Sequence, residues 1–511
     1  MWACRWGRST RPTSHEVRPV KLANALIWTT LAVFARYALK LLGNLTLARM
    51  VPAEAFGQMA IVLAVVNGIE AITDVGTKAA LIRSPRTDPA WLNTAWTLGI
   101  GRGIMIGVIV ALAAVPAATF FRNPGLAGMI AVTGLMSALV GLRSIGAVLA
   151  VRDLDARKLA LIEMIELFAC YVLMIGWAWL SPTAWALLVG TIASSALYTL
   201  LSYLVFATRP HQLQWDRAVV RELVGFGKWV MAASLIGFFI LQGDRFAVGR
   251  LAGIVEAGIY SIAITWASSL QTVFGMFLSR LYLPVVAQLR RGNANGIEAA
   301  NRLRRAILLV MLVPFVWAAG CAVPIIDFLY PRGYAAAGLV MAVLVVGAWF
   351  ATLEFLYNDQ LMLAGRPGVR FRAQVLSVAV MVAALFTLKG HHTLIAIAAV
   401  FASGCAIRAA ILLIANDIAD LRAAIGDVVI TVVFLIAAWL LSGLIATHEQ
   451  QRTIIVLAVS FAALAPVGAA LCWYALRQIL ALAPENIQGE NTPGPTECAA
   501  IHAEMVEEPL V

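Results

Sequence analysis

Leu47-Ala48-Arg49-Met50-Val51-Pro52-Ala53-Glu54-Ala55-Phe56-Gly57-Gln58-Met59 and Val248-Gly249-Arg250-Leu251-Ala252-Gly253-Ile254-Val255-Glu256-Ala257-Gly258-Ile259-Tyr260 follow one pattern, 201 residues apart without a gap. In each copy an Arg sits in a short break between two long apolar runs, and a Gly follows after seven intervening residues. A duplicated bundle of membrane helices places its working surface between the copies. The stretch therefore predicts a transporter with a central cavity.

The composition agrees. Of 511 residues, 61% are hydrophobic and 13% charged. A soluble domain is nearer half apolar and a quarter charged. The chain is expected to be an all-α polytopic membrane protein with little room for a soluble domain. Residues 1–21 hold five basic residues and no apolar core, so they are not read as a signal peptide. The net charge of +11 is scattered among loops, which argues against a nucleic-acid partner. Cys4, Cys170, Cys321, Cys405, Cys472 and Cys498 form no CxxC or Cys/His cluster, so neither a disulfide framework nor a metal site is expected. No Gly-rich nucleotide loop is present, and no cofactor is expected.

Fourteen spans are predicted, at 22–47, 55–78, 91–115, 125–150, 159–180, 183–207, 224–249, 257–282, 306–330, 335–363, 373–389, 392–415, 425–446 and 453–481. Pro and Gly mark many of the breaks, among them Pro52, Pro89, Pro116, Pro182, Pro210, Pro331 and Arg366-Pro367-Gly368. With the N-terminus inside, the inner segments hold 23 Lys and Arg residues and the outer ones six. The positive-inside rule then puts both termini in the cytoplasm.

The echo extends beyond the opening motif. Leu149-Ala150-Val151-Arg152 ends a span in a basic turn, and Leu363-Ala364-Gly365-Arg366 does the same in the second copy. Two six-helix lobes follow, 22–207 and 224–415, in a parallel pseudo-twofold repeat. A cytoplasmic linker, 208–223, joins them. Two extra C-terminal helices occupy 425–481, and residues 482–511 form an acidic, disordered tail. Residues 283–305, ending Asn301-Arg302-Leu303-Arg304-Arg305, are expected to form a basic cytoplasmic helix that contacts anionic membrane lipids.

Leu47-Ala48-Arg49 with Glu54, Phe56-Gly57 and Asp74-Val75-Gly76 resembles the opening signature of the Wzx-type polysaccharide transporters. These belong to the multidrug/oligosaccharidyl-lipid/polysaccharide flippase superfamily, and the likeness is to the colanic-acid and succinoglycan exporter branch. Phe226-Gly227-Lys228-Trp229, Asp244-Arg245, Gly249-Arg250-Leu251, Gly258 to Ala263 and Leu283-Pro284 continue it. The chain departs in carrying Asp74-Val75-Gly76 where relatives tend to have Asp-Phe-Gly. The resemblance implies an inner-membrane flippase. It would carry an undecaprenyl-pyrophosphate-linked oligosaccharide from the cytoplasmic to the periplasmic leaflet by alternating access. Polymerase and chain-length or export proteins are the implied partners. A cation-coupled multidrug exporter of the same superfamily is the alternative. A membrane-embedded polymerase or glycosyltransferase stands further off, because the outer loops are short.

Charges inside spans are functional candidates because each costs about 2.5–3.5 kcal/mol at the bilayer centre. Arg36 and Lys40 share a face of the first span, as do Glu70 and Asp74, with Lys78, in the second. Arg102 and Arg143 follow in the first lobe, and Arg408 in the second. Arg grips phosphate oxygens in bidentate fashion, so Arg36, Lys40, Arg102, Arg143 and Arg408 are the substrate-binding candidates. Glu70, Asp74, Asp244, Arg245, Glu354 and Asp359 are candidates for coupling to H+ or Na+, or for ion pairs inside the cavity. Internal pairing of Glu70 and Asp74 with Arg36, Lys40 or Arg102 is the competing reading. Glu163 and Glu166 read as the salt-bridged start of a helix beside Arg157 and Lys158.

Overall fold

Apolar runs punctuated by Pro and Gly become helices because only a helix satisfies its own backbone in hydrocarbon. The computed structural model describes residues 19–74, 76, 81, 88–152, 156–206, 212–278, 282, 285–286, 295–363, 366, 368–388, 393–417 and 421–446, with isolated positions between 460 and 473. The expected span 453–481, the acidic tail, residues 1–18, Lys78 and most of 279–294 lie outside the described residues, as does the Asp359 side chain.

The first half holds α1 (Pro19–Met50), α2 (Ala53–Ile72), α3 (Pro89–Phe120), α4 (Leu126–Gly141), α5 (Ile145–Arg152), α6 (Ala156–Leu180) and α7 (Ala184–Phe206). The second holds α8 (Arg217–Leu251), α9 (Ile254–Phe277), α10 (Asn295–Gly320), α11 (Ala322–Leu329), α12 (Ala337–Leu363), α13 (Gly368–Thr387) and α14 (Leu394–Asp417). Beyond the duplication comes α15 (Leu421–Ala446). Among the described residues nine helices are long and apolar enough to cross a membrane, ten if the bent pair α4–α5 is one span. The polar-faced α1, α8 and α9 are not among the nine.

Local chemistry sets the helix ends. The Asp88 carboxylate accepts from Trp91 N at 3.1 Å and Pro89 opens α3, a first-turn position where no N–H is needed. Asp216 caps α8 through Ala218 N at 2.8 Å. The predicted span 125–150 is not continuous. It bends by 66° between α4 and α5, at residues 142–144. Polar side chains of α7 satisfy the broken backbone. Thr199 donates to Leu139 O at 3.0 Å, Tyr203 to Leu142 O at 2.5 Å, and Ser202 Oγ accepts from Ser144 N at 3.0 Å. Interrupted membrane helices persist only where protein supplies such partners.

The second difference concerns the basic segment expected to end at Arg305. Residues from Asn295 onward belong to α10, continuous with the apolar run. Arg302 stays at the surface, 4.0 Å from Glu298. Arg304, two positions on and so about 200° around the helix, turns inward. Its guanidinium sits 3.0 Å from Asp427 of α15, with the two side chains 0% and 1% exposed. Tyr357 donates to the same Asp427 oxygen at 2.9 Å, Arg304 to Gln360 at 3.1 Å, and Gln360 to Tyr282 at 2.8 Å. Trp349 stacks on Phe434 at 4.8 Å nearby. This network fastens α15 to the second lobe. Removing one partner of a sealed ion pair costs about 3–5 kcal/mol, whereas replacing both by apolar residues costs far less. We therefore expect Asp427→Ala to lower the melting temperature in detergent sharply and Arg304→Met/Asp427→Leu to recover most of the loss, as measured by fluorescence-detected size exclusion after heating.

Candidate functional site

The duplicated motif meets itself. A Cβ on Gly57 would lie 1.8 Å from Ile254 O, and a Cβ on Gly258 would lie 1.8 Å from Ala53 O. The residues exchanged, 53 with 254 and 57 with 258, stand 201 positions apart, so the contact is isologous, like that of a twofold dimer. Only Gly lets the α2 and α9 backbones approach this closely. The two motif arginines also cross between the halves. Arg49 donates to Leu329 O at 3.2 Å, and the Arg250 guanidinium lies 5.4 Å from the Phe120 ring centroid. Tyr334 completes the closure, donating to Val51 O at 3.3 Å and meeting Phe56 edge-on at 6.3 Å. The end of the bundle that the charge count assigns to the outside is thus shut.

Deeper down, the first half carries a belt of charge. Arg36, Glu70, Arg102, Arg143 and Glu163 all lie about 21–27 Å along their helices from that shut end, at 1.5 Å per residue. The Arg36 guanidinium contacts the Glu163 carboxylate, joining α1 to α6. Arg143 sits in the α4–α5 break, 3.7 Å from Glu166, donating to Ser195 at 3.4 Å and lying 4.1 Å from the Tyr198 ring centroid. Arg102 turns to the C-terminal end of α2. Its Nε donates to Thr73 O and its Nη2 to Glu70 O, both at 3.0 Å, with Asp74 at 3.9 Å. Arg102 is thus a cap on the negative end of the α2 dipole. Glu70 accepts from Ser137 at 3.1 Å, and Asp74 accepts from Ser234 of α8 at 3.4 Å.

Lys40, one turn beyond Arg36, is different. It is half-buried, and the charges acting on it are those of Arg245 and Arg36, both of its own sign. Among the described residues it has no carboxylate within ion-pair reach. Arg245 comes from α8, in the other half, and donates to Gln242 at 2.6 Å and Leu241 O at 3.0 Å. Asn44, which occupies the position of Arg245 in the first copy, has a buried amide oxygen with no hydrogen-bond partner. The repeat register was the signal that marks Asn44.

The second half pairs its charges internally. Arg408 donates to Glu354 at 2.8 Å and to Ser377 at 3.2 Å, with side chains 3% and 12% exposed for the ion pair. Asp244 is 4% exposed and accepts from Tyr260 OH at 3.0 Å. Its nearest guanidinium nitrogen, on Arg245, is 4.0 Å away. Sequence reasoning gave Glu163 and Glu166 local partners and Arg304 a place on a basic cytoplasmic helix, and it did not single out Asp427. No group of three or more potential metal ligands occurs among the described residues.

The family model described as "Polysaccharide biosynthesis protein" matches residues 46–339. Over 265 residues the chain is 24% identical to the lipopolysaccharide biosynthesis protein WzxC of Escherichia coli (strain K12), covering 52% of this chain and 54% of that one. Over 291 residues it is 24% identical to the succinoglycan biosynthesis transport protein ExoT of Rhizobium meliloti (strain 1021), covering 57% and 58%. The chain spans about half the length of the curated relatives it matches. The fold is that of the lipid II flippase MurJ in an inward closed conformation, with a TM-score of 0.70 at 12% identity, covering 89% of this chain and 100% of that one. The resemblance read from the Leu47–Gly57 signature is borne out.

A shut end held by glycine contact makes a direct forecast. Gly57→Ala or Gly258→Ala should part α2 from α9 and raise labelling of a Val51→Cys reporter by a membrane-impermeant maleimide several-fold over the same reporter with both glycines intact.

Proposed function

The chain belongs to the polysaccharide biosynthesis protein family, and from that premise we propose that it is a flippase of the bacterial inner membrane. Its cargo is an undecaprenyl-pyrophosphate-linked oligosaccharide repeat unit, moved from the cytoplasmic to the periplasmic leaflet by alternating access. The observation that carries this reading is Lys40. It is a half-buried cation of α1 with the like charges of Arg36 and Arg245 acting on it and no carboxylate within ion-pair reach among the described residues. Such a site is costly when empty and is relieved by an anion. Arg36 and Arg245 flank it from the two halves, so a pyrophosphate held there would bridge both lobes. Arg143 stands at the helix break and Arg408 is engaged within the second lobe. Arg102 is given a positioning role, because its donors are committed to α2.

The charge count supports an orientation in which the shut end faces the periplasm and the site is reached from the cytoplasm. Coupling to H+ or Na+ falls most naturally to Asp244. Its carboxylate is buried, accepts from the Tyr260 hydroxyl at 3.0 Å and from the Arg245 backbone N–H at 2.8 Å, and has its nearest guanidinium nitrogen 4.0 Å away. Glu354 already has a full partner in Arg408. The proteins that polymerise and export the glycan are the expected partners.

Lys40→Gln should abolish polymer export in a complementation assay while the protein still inserts at normal levels, and Lys40→Arg should retain a measurable part of it. Normal export by Lys40→Gln would remove the phosphate-binding reading. Loss of resistance to cationic drugs in a deletion strain, with polymer intact, would favour the multidrug exporter instead.

A further inference from the structure

Among the described residues, four of the charged pairs form two contrasting sets. Arg304–Asp427 and Arg408–Glu354 are sealed, with side chains between 0% and 12% exposed. Arg36–Glu163 and Arg143–Glu166 are open, between 27% and 41% exposed, although they lie well inside the helices. Both open carboxylates come from one face of α6, at i and i+3. Both of their partners are cations placed among the phosphate-binding candidates. A structural tie inside a membrane protein gains from being sealed, whereas an exchangeable one must stay accessible.

We propose that Glu163 and Glu166 are resident counter-ions, which hold Arg36 and Arg143 in the empty protein and yield them to the pyrophosphate of the incoming lipid. This rests on the flippase reading above. An accessible ion pair is worth no more than about 1 kcal/mol. A pyrophosphate brings more charge and several oxygens set for bidentate capture by guanidinium, so it outcompetes a single carboxylate. The seam between α1 and α6 is built for the exchange. One end is fixed by packing: Tyr171 donates to Lys40 O at 3.1 Å, and its ring fills the space beside Gly43. At the level of Arg36, two turns of α6 away, the ion pair itself forms the tie. That tie can open while Tyr171 keeps the seam closed. On release of the cargo the carboxylates recapture the cations, which returns the site to its empty form. Glu163 is in this sense a positioning residue acting through Arg36, and Glu166 through Arg143.

The test uses the full-length protein in nanodiscs with undecaprenyl pyrophosphate as the probe. Glu163→Gln should bind it about two- to five-fold more tightly than wild type, the fold-change that matches loss of an exposed ion pair. In cells the same variant should export more slowly, because tighter ground-state binding without recapture delays release. Glu163→Asp, which keeps the competing charge, should restore wild-type affinity. In the Arg36→Ala background Glu163→Gln should produce no tightening. A monodisperse Glu163→Gln protein that binds with wild-type or weaker affinity would overturn the proposal and leave Glu163 a structural tie. Full recovery of binding and export by the swap Arg36→Glu/Glu163→Arg would overturn it as well. If wild type itself does not bind undecaprenyl pyrophosphate, the flippase reading falls and this inference falls with it.

Discussion

A charge held among apolar helices must be matched, capped or left for a ligand, and the arrangement of this protein follows from how each one is handled. Charged side chains cost a few kcal/mol at the bilayer centre when unpaired. Arg304 and Arg408 are matched by carboxylates and sealed. Arg102 is matched by the carbonyl end of a helix, which acts as a partial negative charge. Arg36 and Arg143 are matched by carboxylates but left open. Lys40 is not matched at all among the described residues. The series runs from the second half, where Asp244, Arg245, Glu354 and Arg408 each have a partner, to the first, where Lys40 has no carboxylate in reach among the described residues.

The duplication serves two opposite purposes. Where the copies stay alike, they close the molecule. Gly57 and Gly258 permit one backbone contact to be made twice, and Arg49 and Arg250 each reach across to the other half. Where the copies have diverged, their charges differ, and the proposed site lies there. Asn44 faces no donor while its counterpart Arg245 is charged. The close contact is symmetric between the copies, whereas the charge deeper in the bundle is not. Closure and recognition thus draw on the same repeat at different depths.

Much of this was legible in the sequence, and the boundary of legibility has a physical cause. Hydropathy and Pro/Gly punctuation disclose helices because the bilayer forces that pattern. The repeat register disclosed the Arg and Gly of the shut end. The break at 142–144 was hidden, since Leu142-Arg143-Ser144 holds no Pro and interrupts the apolar run by only two polar residues, and its support comes from Thr199, Ser202 and Tyr203 on another helix. Arg304 was misread as part of a solvated basic helix because a run of three arginines in five residues carries no mark of which one turns inward. Glu163 looked like the salt-bridged start of a helix. Its partner lies 127 residues away, beyond any local pattern.

The contrast between sealed and open pairs also bears on which parts move. Breaking Arg304–Asp427 would strand two ions away from water, so α10, α12 and α15 travel together as one body. The pairs on α6 are of the kind whose loss is inexpensive. Of the nine candidate spans α6 buries the least of itself. On the proposed reading, a helix with little core to disrupt, whose Glu163 and Glu166 face Arg36 and Arg143, responds to an anion arriving between them. The glycine contact at the other end has no such freedom. It is satisfied at one spacing of the α2 and α9 backbones only. On the proposed reading, an ion-pair exchange at depth and a glycine contact of fixed spacing at the shut end, joined along α1 and α2, are the two elements through which cargo binding would change access.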